Sequence, residues 1–228
     1  MKLALGFLWK MQDKIKLVIF DLDGTLVDAY QAIIKSVNFT LSEMGYPEAS
    51  RLRIRRAVGW GDKRLLGVFV KEKDIEYALV IYRRHHRLSL KSSIKLLPYA
   101  NKILRYLTKN GFKIAIASNR PTEFTGIILR RLALKKYFDY VLCADRLAQG
   151  KPHPEILLKI IKKLKVRPAE VVYVGDMAID VKTAQAAGIK PIAISGGSSP
   201  LDEIKKARPF RIIKSLAFLK KILPPISA

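Results

Sequence analysis

Cysteine is almost absent from this sequence, because Cys143 is the single one among 228 residues. One cysteine cannot close a disulfide within the chain, and its apolar neighbours predict a buried side chain. Long apolar runs are lacking too, since none approaches the roughly 20 residues that cross a bilayer. These absences exclude a disulfide-rich scaffold. They also predict that there is no transmembrane segment and that the location is cytoplasmic.

Acidic residues are scarce as well. The sequence has 19 Asp and Glu against 43 Lys and Arg, which gives a formal net charge of +24. Such an excess attracts polyanions, anionic membranes and small phosphates alike. The cations are spread along the sequence instead of being concentrated in one arm or helix, which favours a solvated basic surface. A basic nucleic-acid-binding protein is kept as an alternative from a different class, which the charge allows but does not favour.

The first ten residues form a short apolar arm. Residues 3–9 follow Lys2 and look like the start of a signal peptide, but Lys10 comes next and there is no small-residue cleavage site. We therefore expect an arm that packs on the domain or on a partner, or a start of translation at Met11.

Apolar, β-branched runs of strand length alternate with helical patterns over most of the chain. Near-continuous apolar strands are what a parallel sheet covered by helices on both faces requires. The alternation predicts a doubly wound, Rossmann-like α/β core with a parallel sheet. The predicted strands are 15–20, 112–117, 137–143 and 171–174, with 189–194 and 211–213 as weaker ones, and the predicted helices are 99–107, 154–164 and 179–187.

Residues 29–96 break this alternation. They contain helical patterns at 30–44, 49–58 and 74–92, and no convincing buried strand. The length of the chain suits one α/β domain with a modest insertion. We therefore predict a core domain formed by residues 1–28 and 97–228, and a small all-helical cap, residues 29–96, inserted after the first strand.

Two aspartates stand directly after the first predicted strand, in the run Asp21-Leu22-Asp23-Gly24-Thr25. In an open parallel sheet, the loops at the carboxyl ends of the strands form the ligand crevice, so topology places this run at a site. Two carboxylates so close together can differ in protonation, because one can ionise fully while the other shares a proton. Gly24 lets the chain turn with little steric constraint. The competing interpretation is that both aspartates only cap a turn.

Three further segments carry polar residues of the same kind. Ser118 follows the strand 112–117 and offers a hydroxyl to an anion, while Lys151 lies at the start of a helix, in a loop that Pro152 and Pro154 stiffen. Asp176 follows the strand 171–174, with Asp180 on the first turn of the next helix. Taken singly, each residue has an ordinary explanation as a helix cap or a solvated side chain. Because all of these residues occur in one chain at the ends of predicted strands or the start of a helix, a shared site is favoured over separate structural roles.

Taken in order, these segments resemble the signatures of the haloacid dehalogenase superfamily. The superfamily has a DxDGT strand end, a Ser or Thr strand end, a Lys-Pro helix start and a GDxxxD strand end. This chain matches all four between residues 15 and 194, and the insertion 29–96 resembles the helical C1 cap, a lid over small substrates. The matching residues are Asp21 to Thr25, Ser118, Lys151 with Pro152, and Gly175 with Asp176 and Asp180.

The resemblance implies phosphoryl-transfer chemistry. Asp21 would be the nucleophile that attacks phosphorus and forms an aspartyl-phosphate. Asp23 would protonate the leaving oxygen and then deprotonate the water that hydrolyses the intermediate. Ser118 would hold phosphoryl oxygens, and Lys151 would neutralise the charge that repels the attacking carboxylate. Further phosphate-binding residues are expected to be Gly24, Thr25 and Asn119.

The resemblance also implies a magnesium cofactor. Asp21, Asp176 and the backbone carbonyl of Asp23 would supply oxygen ligands for Mg²⁺. Asp180 would be either a further ligand or a partner of Lys151 and of metal-bound water.

Two segments of the cap carry side chains that suggest contacts with substrate. In the run 59–64, Trp60 would cover the substrate, and Lys63 or Arg64 would meet a carboxylate or a second phosphate. An ordinary turn between helices is the equal alternative. The run 83–87 holds two adjacent histidines, which do not form a metal pair on a helix and are expected to lie on a solvated basic face.

Within the superfamily the sequence is similar to phosphoglycolate phosphatases and their C1-capped relatives. Dehalogenases lack the second carboxylate, so Asp23 favours phosphoryl chemistry on a small phosphorylated metabolite. A β-phosphoglucomutase-like mutase is the alternative within the superfamily. The expected state is a monomer or a homodimer.

Overall fold

A six-stranded parallel sheet lies at the centre of the structure, a computed structural model that describes residues 14–226. The predicted N-terminal arm lies outside these described residues. The strands are β1 (Leu17–Phe20), β2 (Val27–Asp28), β3 (Lys95–Leu96), β4 (Lys113–Ser118), β5 (Tyr140–Cys143), β6 (Val171–Gly175), β7 (Lys190–Ile194) and β8 (Arg211–Ile213). The α-helices are α1 (Tyr30–Glu43), α2 (Arg51–Ala57), α3 (Asp62–Gly67), α4 (Ile75–Ser92), α5 (Ala100–Lys109), α6 (Thr122–Arg131), α7 (Glu155–Leu164), α8 (Ala178–Ala186), α9 (Leu201–Lys206) and α10 (Leu219–Ile222).

The order of the strands in the sheet is β5-β4-β1-β6-β7-β8, and every pair is parallel. The chain builds the sheet outward from β1, first to one side through β4 and β5, then to the other through β6, β7 and β8. The predicted doubly wound α/β core is confirmed. Because β4 and β6 flank β1, the loops that follow these three strands meet at one edge, where open α/β sheets bind ligands.

Two apolar clusters cover the two faces of the sheet. Val18 and Phe20 of β1 face a cluster that includes α5 and α6, whereas Leu17 and Ile19 face a second cluster that includes α7 and α8. Successive side chains of a strand point to opposite faces. All four are therefore buried, which explains the near-continuous apolar run in the sequence.

Helices α1 to α4 form a separate apolar cluster, in which Ile33, Val37, Leu66, Leu79 and Tyr82 are buried. α1 and α4 pack on each other. The chain leaves and returns through a two-stranded antiparallel pair, β2 with β3, which the sequence did not indicate. The division into core and cap at these points stays a prediction.

The segment 59–64 is a turn only in its first half. Gly59 and Gly61 both have positive φ, of 104° and 85°, and helix α3 begins directly after them at Asp62. An acidic residue in the first turn suits the positive end of a helix. Lys63 and Arg64 lie on α3, after the turn. Within residues 14–226, no helix combines the length and the apolar character that a membrane span needs.

Candidate active site

The predicted site residues of three strand ends come together at the edge of the sheet. Asp21 directly follows β1, Ser118 ends β4, and Asp176 directly follows β6. The backbone N–H of Asp21 donates to the carbonyl of Val174 at 2.8 Å, so the parallel ladder continues up to the first aspartate. The side chains of Asp21, Ser118 and Asp176 are polar, and all three are buried.

Lys151 lies between two of the predicted acids. Its Nζ donates to Asp21 Oδ1 at 2.7 Å, to Asp180 Oδ1 at 2.6 Å and to the hydroxyl of Tyr173 at 3.0 Å. Burial alone would lower the pKa of Lys151. The negative charges of Asp180 and Asp21 have the larger combined effect and raise this pKa well above its usual value. Lys151 therefore stays charged, and two of its three donors hold Asp21 and Asp180 in place, while the third meets Tyr173.

Three buried carboxyl groups form a candidate metal site. Asp21, Asp176 and Asp180 each offer one oxygen, and these oxygens lie within 4.8 Å of one another. Ionised together they carry three negative charges, against one from the ammonium of Lys151. Buried charge of one sign needs a partner, and divalent cations such as Mg²⁺ prefer carboxylate oxygens. The donor set thus fits the magnesium ion that the sequence predicts.

Burial and mutual repulsion act on two of these carboxyls. Burial raises the pKa of Asp176 to about 7, with Asp180 adding to the effect and the backbone N–H of Ser198 opposing it. Burial also raises the pKa of Asp21 well above its usual value, against the lowering effect of Lys151. A cation bound beside both carboxylates would favour their ionised forms.

Asp176 is held by three hydrogen-bond donors, of which only Thr25 was a predicted site residue. Its Oδ2 accepts from the backbone N–H of Ser198 at 2.7 Å and from the hydroxyl of Tyr30 at 3.5 Å. Its Oδ1 accepts from Thr25 Oγ1 at 3.2 Å. Thr25, which was predicted to bind phosphate, thus also orients Asp176. A phosphate contact of Thr25 or Gly24 stays a prediction.

The carboxylate of Asp23 lines the same cavity as Asp21 but is not one of the three grouped carboxyls. Both of its oxygens accept from Arg120, at 2.7 Å from Nε and 2.9 Å from Nη2. The predicted metal contact of Asp23 runs through its backbone carbonyl, so this pair leaves that prediction open. The three hydrogen bonds of Asp180 favour a positioning role: Oδ1 accepts from Lys151 and Tyr173, and Oδ2 from the backbone N–H of Met177 at 3.1 Å.

Comparison with known proteins places the chain in a family. Residues 18–194 match the family model described as haloacid dehalogenase-like hydrolase. The chain belongs to this family. The predicted resemblance is confirmed, and with it the prediction that the protein is an enzyme of the hydrolase class.

The similar proteins carry one recurring description. A "Phosphoglycolate phosphatase" of Pseudomonas putida is 30% identical over 217 residues, which are 90% of this chain and 78% of the relative. A protein of the same name from Aquifex aeolicus is 30% identical over 203 residues, 87% of this chain and 95% of the relative. The crystal structure of a predicted phosphoglycolate phosphatase from Haemophilus somnus has a TM-score of 0.85 and 25% identity, and covers 92% of this chain and 99% of that one.

In this hydrolase, Ser118 and Asn119 sit in the loop after β4. Ser118 is buried, lines the cavity beside Asp21, and its Oγ accepts from the backbone N–H of Arg120 at 3.2 Å. The side chain of Asn119 makes three bonds to backbone: it accepts from Lys151 N at 2.8 Å and donates to Lys151 O at 3.2 Å and to Gly59 O at 2.9 Å. Asn119 therefore fastens the loop that carries Lys151, and its phosphate contact stays a prediction.

The residues of the run 59–64 that were predicted to contact substrate lie in a groove outside the cavity beside Asp21. Trp60, Lys63 and Arg64 line this groove together with the segment 144–154. The guanidinium of Arg64 lies 5.4 Å from the centre of the Trp60 ring, and Lys63 pairs with Glu76 at 2.6 Å on the surface. The groove and the cavity share Gly61, Asp62, Asn119 and Lys151. A contact of the three residues with substrate stays a prediction.

Helices α3 and α4 contribute further residues to the cavity, which the sequence patterns did not predict. Asp62 is buried there, and burial raises its pKa although Arg120 and Arg83 oppose the effect. Tyr82 also lines the cavity. Asp62 was visible in the sequence within the run 59–64, but only its place at the start of α3 directs it inward.

The expectation of a solvated basic face for residues 83–87 is wrong for His86. The ring of His86 is fully buried, stacked on Tyr82 at 4.9 Å and edge-on to Phe124 at 5.0 Å. Burial, aided by Arg120, lowers its pKa to about 2. Tyr82 and Leu90, four residues to either side, are buried too, and this helical spacing was the available signal.

Proposed function

We propose that the protein is a Mg²⁺-dependent phosphatase that hydrolyses a small organic phosphate monoester through an aspartyl-phosphate on Asp21. The observation that carries the proposal is the contact of Lys151 Nζ with Asp21 Oδ1 at 2.7 Å, inside a buried group of three carboxyls. The relatives named phosphoglycolate phosphatase support phosphoglycolate as the first substrate to test.

In the first step a carboxylate oxygen of Asp21 attacks phosphorus, and the bond between phosphorus and the ester oxygen breaks. The leaving oxygen takes a proton from Asp23, so that the alcohol departs neutral and Asp23 becomes ionised. Lys151 offsets the repulsion between the attacking carboxylate and the anionic phosphoryl group. Ser118 lines the same cavity, and in this proposal it holds a phosphoryl oxygen.

In the second step water attacks the phosphorus of the aspartyl-phosphate. Asp23, now ionised, accepts the proton of this water, and the bond between Asp21 and phosphorus breaks. Inorganic phosphate leaves, while Asp21 is again a carboxylate and Asp23 again carries a proton. The cycle therefore needs no reactant other than the ester and water.

The carboxyl groups of Asp21 and Asp176 would hold the magnesium ion. When bound, the ion supplies positive charge next to the phosphoryl oxygens and stabilises the charge that develops on them. Asp180 keeps Lys151 in place from the other side. The cytoplasmic location and the monomeric or homodimeric state remain predictions.

The test is a panel of phosphate esters assayed with Mg²⁺, including phosphoglycolate, sugar phosphates, nucleoside monophosphates and p-nitrophenyl phosphate. We expect release of phosphate that EDTA stops, and a loss of more than about 10³-fold in Asp21→Asn, because the nucleophile is removed. Asp202→Asn is the matched control, since Asp202 is exposed on α9.

Each other outcome points to a different function. Isomerisation of β-glucose 1-phosphate without phosphate release would favour the mutase. Salt-dependent binding of random duplex DNA without any esterase activity would favour the nucleic-acid-binding alternative. Equal activity of wild type and Asp21→Asn would contradict the mechanism.

A further inference from the structure

A buried chain of hydrogen bonds runs from Asp23 into the cap. Arg120 donates to both oxygens of Asp23, at 2.7 and 2.9 Å, and its Nη1 lies 2.7 Å from Nε2 of His86 on α4. On its far side the ring of His86 contacts Ser36 on α1, with 3.1 Å between Nδ1 and Oγ. One guanidinium thus touches both the carboxylate that handles the proton and a side chain of the cap.

The hydrogen bonds fix which nitrogen of His86 carries its proton. Ser36 Oγ donates its single proton to the carbonyl of Ala32 at 2.7 Å. It therefore acts as an acceptor toward the ring, so Nδ1 of His86 holds the proton and Nε2 presents a lone pair. Arg120 has only donors, and Nε2 is the acceptor that it meets. The contact is a directed bond between a cation and a neutral ring.

Water cannot easily replace this contact. His86 has no exposed surface and Arg120 is 7% exposed. Tyr82 stacks on one face of the ring, and Phe124, from α6 of the core, meets it edge-on. The position of the ring therefore follows the position of α4 relative to the core.

We propose that Arg120 and His86 are positioning residues that hold the Asp23 carboxylate in its working orientation only while the cap is seated on the core. Arg120 belongs to the core, in the loop after β4, and His86 belongs to α4 of the cap. Loss of the His86 contact frees one arm of the guanidinium fork, and the paired hydrogen bonds to Asp23 depend on the plane of that fork. The proposal rests on the proposed function, in which Asp23 passes the proton to the leaving oxygen.

The variants separate this role from packing. His86→Gln keeps an acceptor close to the place of Nε2, His86→Leu removes it at similar volume, and Arg120→Lys keeps the charge but loses the fork. The control is Arg87→Gln, because Arg87 joins the cap to Glu123 of the core through an exposed ion pair. Thermal unfolding of each variant establishes that it is folded.

The measurement is kcat/KM for two substrates, because this constant covers the steps up to formation of the aspartyl-phosphate. p-Nitrophenolate departs without a proton and needs no acid, whereas an alkyl phosphate releases an alcohol and needs Asp23. For the alkyl phosphate that wild type hydrolyses best, we expect His86→Leu and Arg120→Lys to lose at least about tenfold more kcat/KM than for p-nitrophenyl phosphate, within the 10²–10⁴-fold that acid catalysis supplies. His86→Gln should recover most of the loss, and Arg87→Gln should resemble wild type.

Equal losses for the two substrates, or a Gln variant no better than the Leu variant, would overturn the proposal. If His86→Leu does not fold, Arg120→Lys decides the question by the same ratio. A wild type that hydrolyses neither substrate would instead refute the proposed function, so the two failures can be told apart.

Discussion

The backbone of Gly197 lies so close to the carboxylate of Asp176 that no side chain fits between them. A Cβ at position 197 would be 2.0 Å from Asp176 Oδ2, and one at Gly24 would be 2.3 Å from the same oxygen. The neighbouring N–H of Ser198 donates to this oxygen at 2.7 Å. The candidate metal ligand is therefore held between two stretches of backbone.

The first prediction concerns Gly197→Ala. The new methyl group must displace the carboxylate of Asp176, since the backbone beside it cannot easily move. We expect a weaker apparent affinity for Mg²⁺ and a rate lowered by about 10²-fold, the typical effect of misplacing a catalytic group by about 1 Å. The cost in unfolding free energy should be about 1–3 kcal/mol. Activity measured against Mg²⁺ concentration, together with urea unfolding, tests both.

The control for this variant is Gly126→Ala on α6. A Cβ there meets only the flexible end of Arg130, at 3.4 Å, and alanine favours a helix more than glycine does. Its Mg²⁺ dependence should match that of wild type. If Gly197→Ala also matches wild type, then Asp176 does not hold the metal in the orientation described above.

The second prediction concerns Lys151→Met. Methionine has a similar length but no charge, so Asp21 and Asp180 would face each other in a buried site with no cation between them. Breaking a buried ion pair by removing one partner costs about 3–5 kcal/mol, and we expect a loss of this size in unfolding free energy at neutral pH in the absence of Mg²⁺. Urea unfolding with and without EDTA measures the loss.

Lys159→Met on α7 is the matched control. Lys159 pairs with Glu155 at 2.7 Å, but its side chain is 52% exposed, and surface pairs contribute about 0–1 kcal/mol. A Lys151→Met protein as stable as the control would mean that the buried ion pairs do not hold the site together.

The elements that the sequence predicted well are those whose signal is local. A strand covered on both faces reads as an apolar run, and an acid that directly follows such a run is placed at the edge of the sheet by topology alone. This is why β1 and the places of Asp21 and Asp176 could be predicted. The start of α3 was not predicted, because Gly59 and Gly61 on either side of Trp60 are typical of a turn, although Gly61 only turns the chain into the helix.

The contacts that the sequence did not predict join elements across the interface between α1 to α4 and the core. Arg120 and His86 are 34 residues apart, and only the lie of α4 against the loop after β4 brings them together. Tyr30 and Asp176 are 146 residues apart. No periodicity encodes the angle at which one group of helices meets a sheet, so these partners could not be read from single-sequence patterns.

The last prediction concerns acid stability and lies away from the active site. Glu170, just before β6, accepts from the side chain and the backbone N–H of Arg167, at 3.1 and 3.0 Å, and from Lys16 before β1 at 2.7 Å. These partners lower the pKa of Glu170 from its usual 4.5 to about 2. The folded state thus favours the ionised carboxylate, so its contribution to stability is complete above about pH 4.5 and is lost as the pH falls toward about 2.

We therefore expect Glu170→Gln to lower the urea midpoint at about pH 7, and to lower it less at about pH 3, where part of the contribution has already gone from wild type. Glu203→Gln, an exposed change on α9, should leave the midpoint near that of wild type at both values. A deficit of Glu170→Gln that stays constant between the two pH values would show that the ionised pair with Arg167 and Lys16 is not its cause.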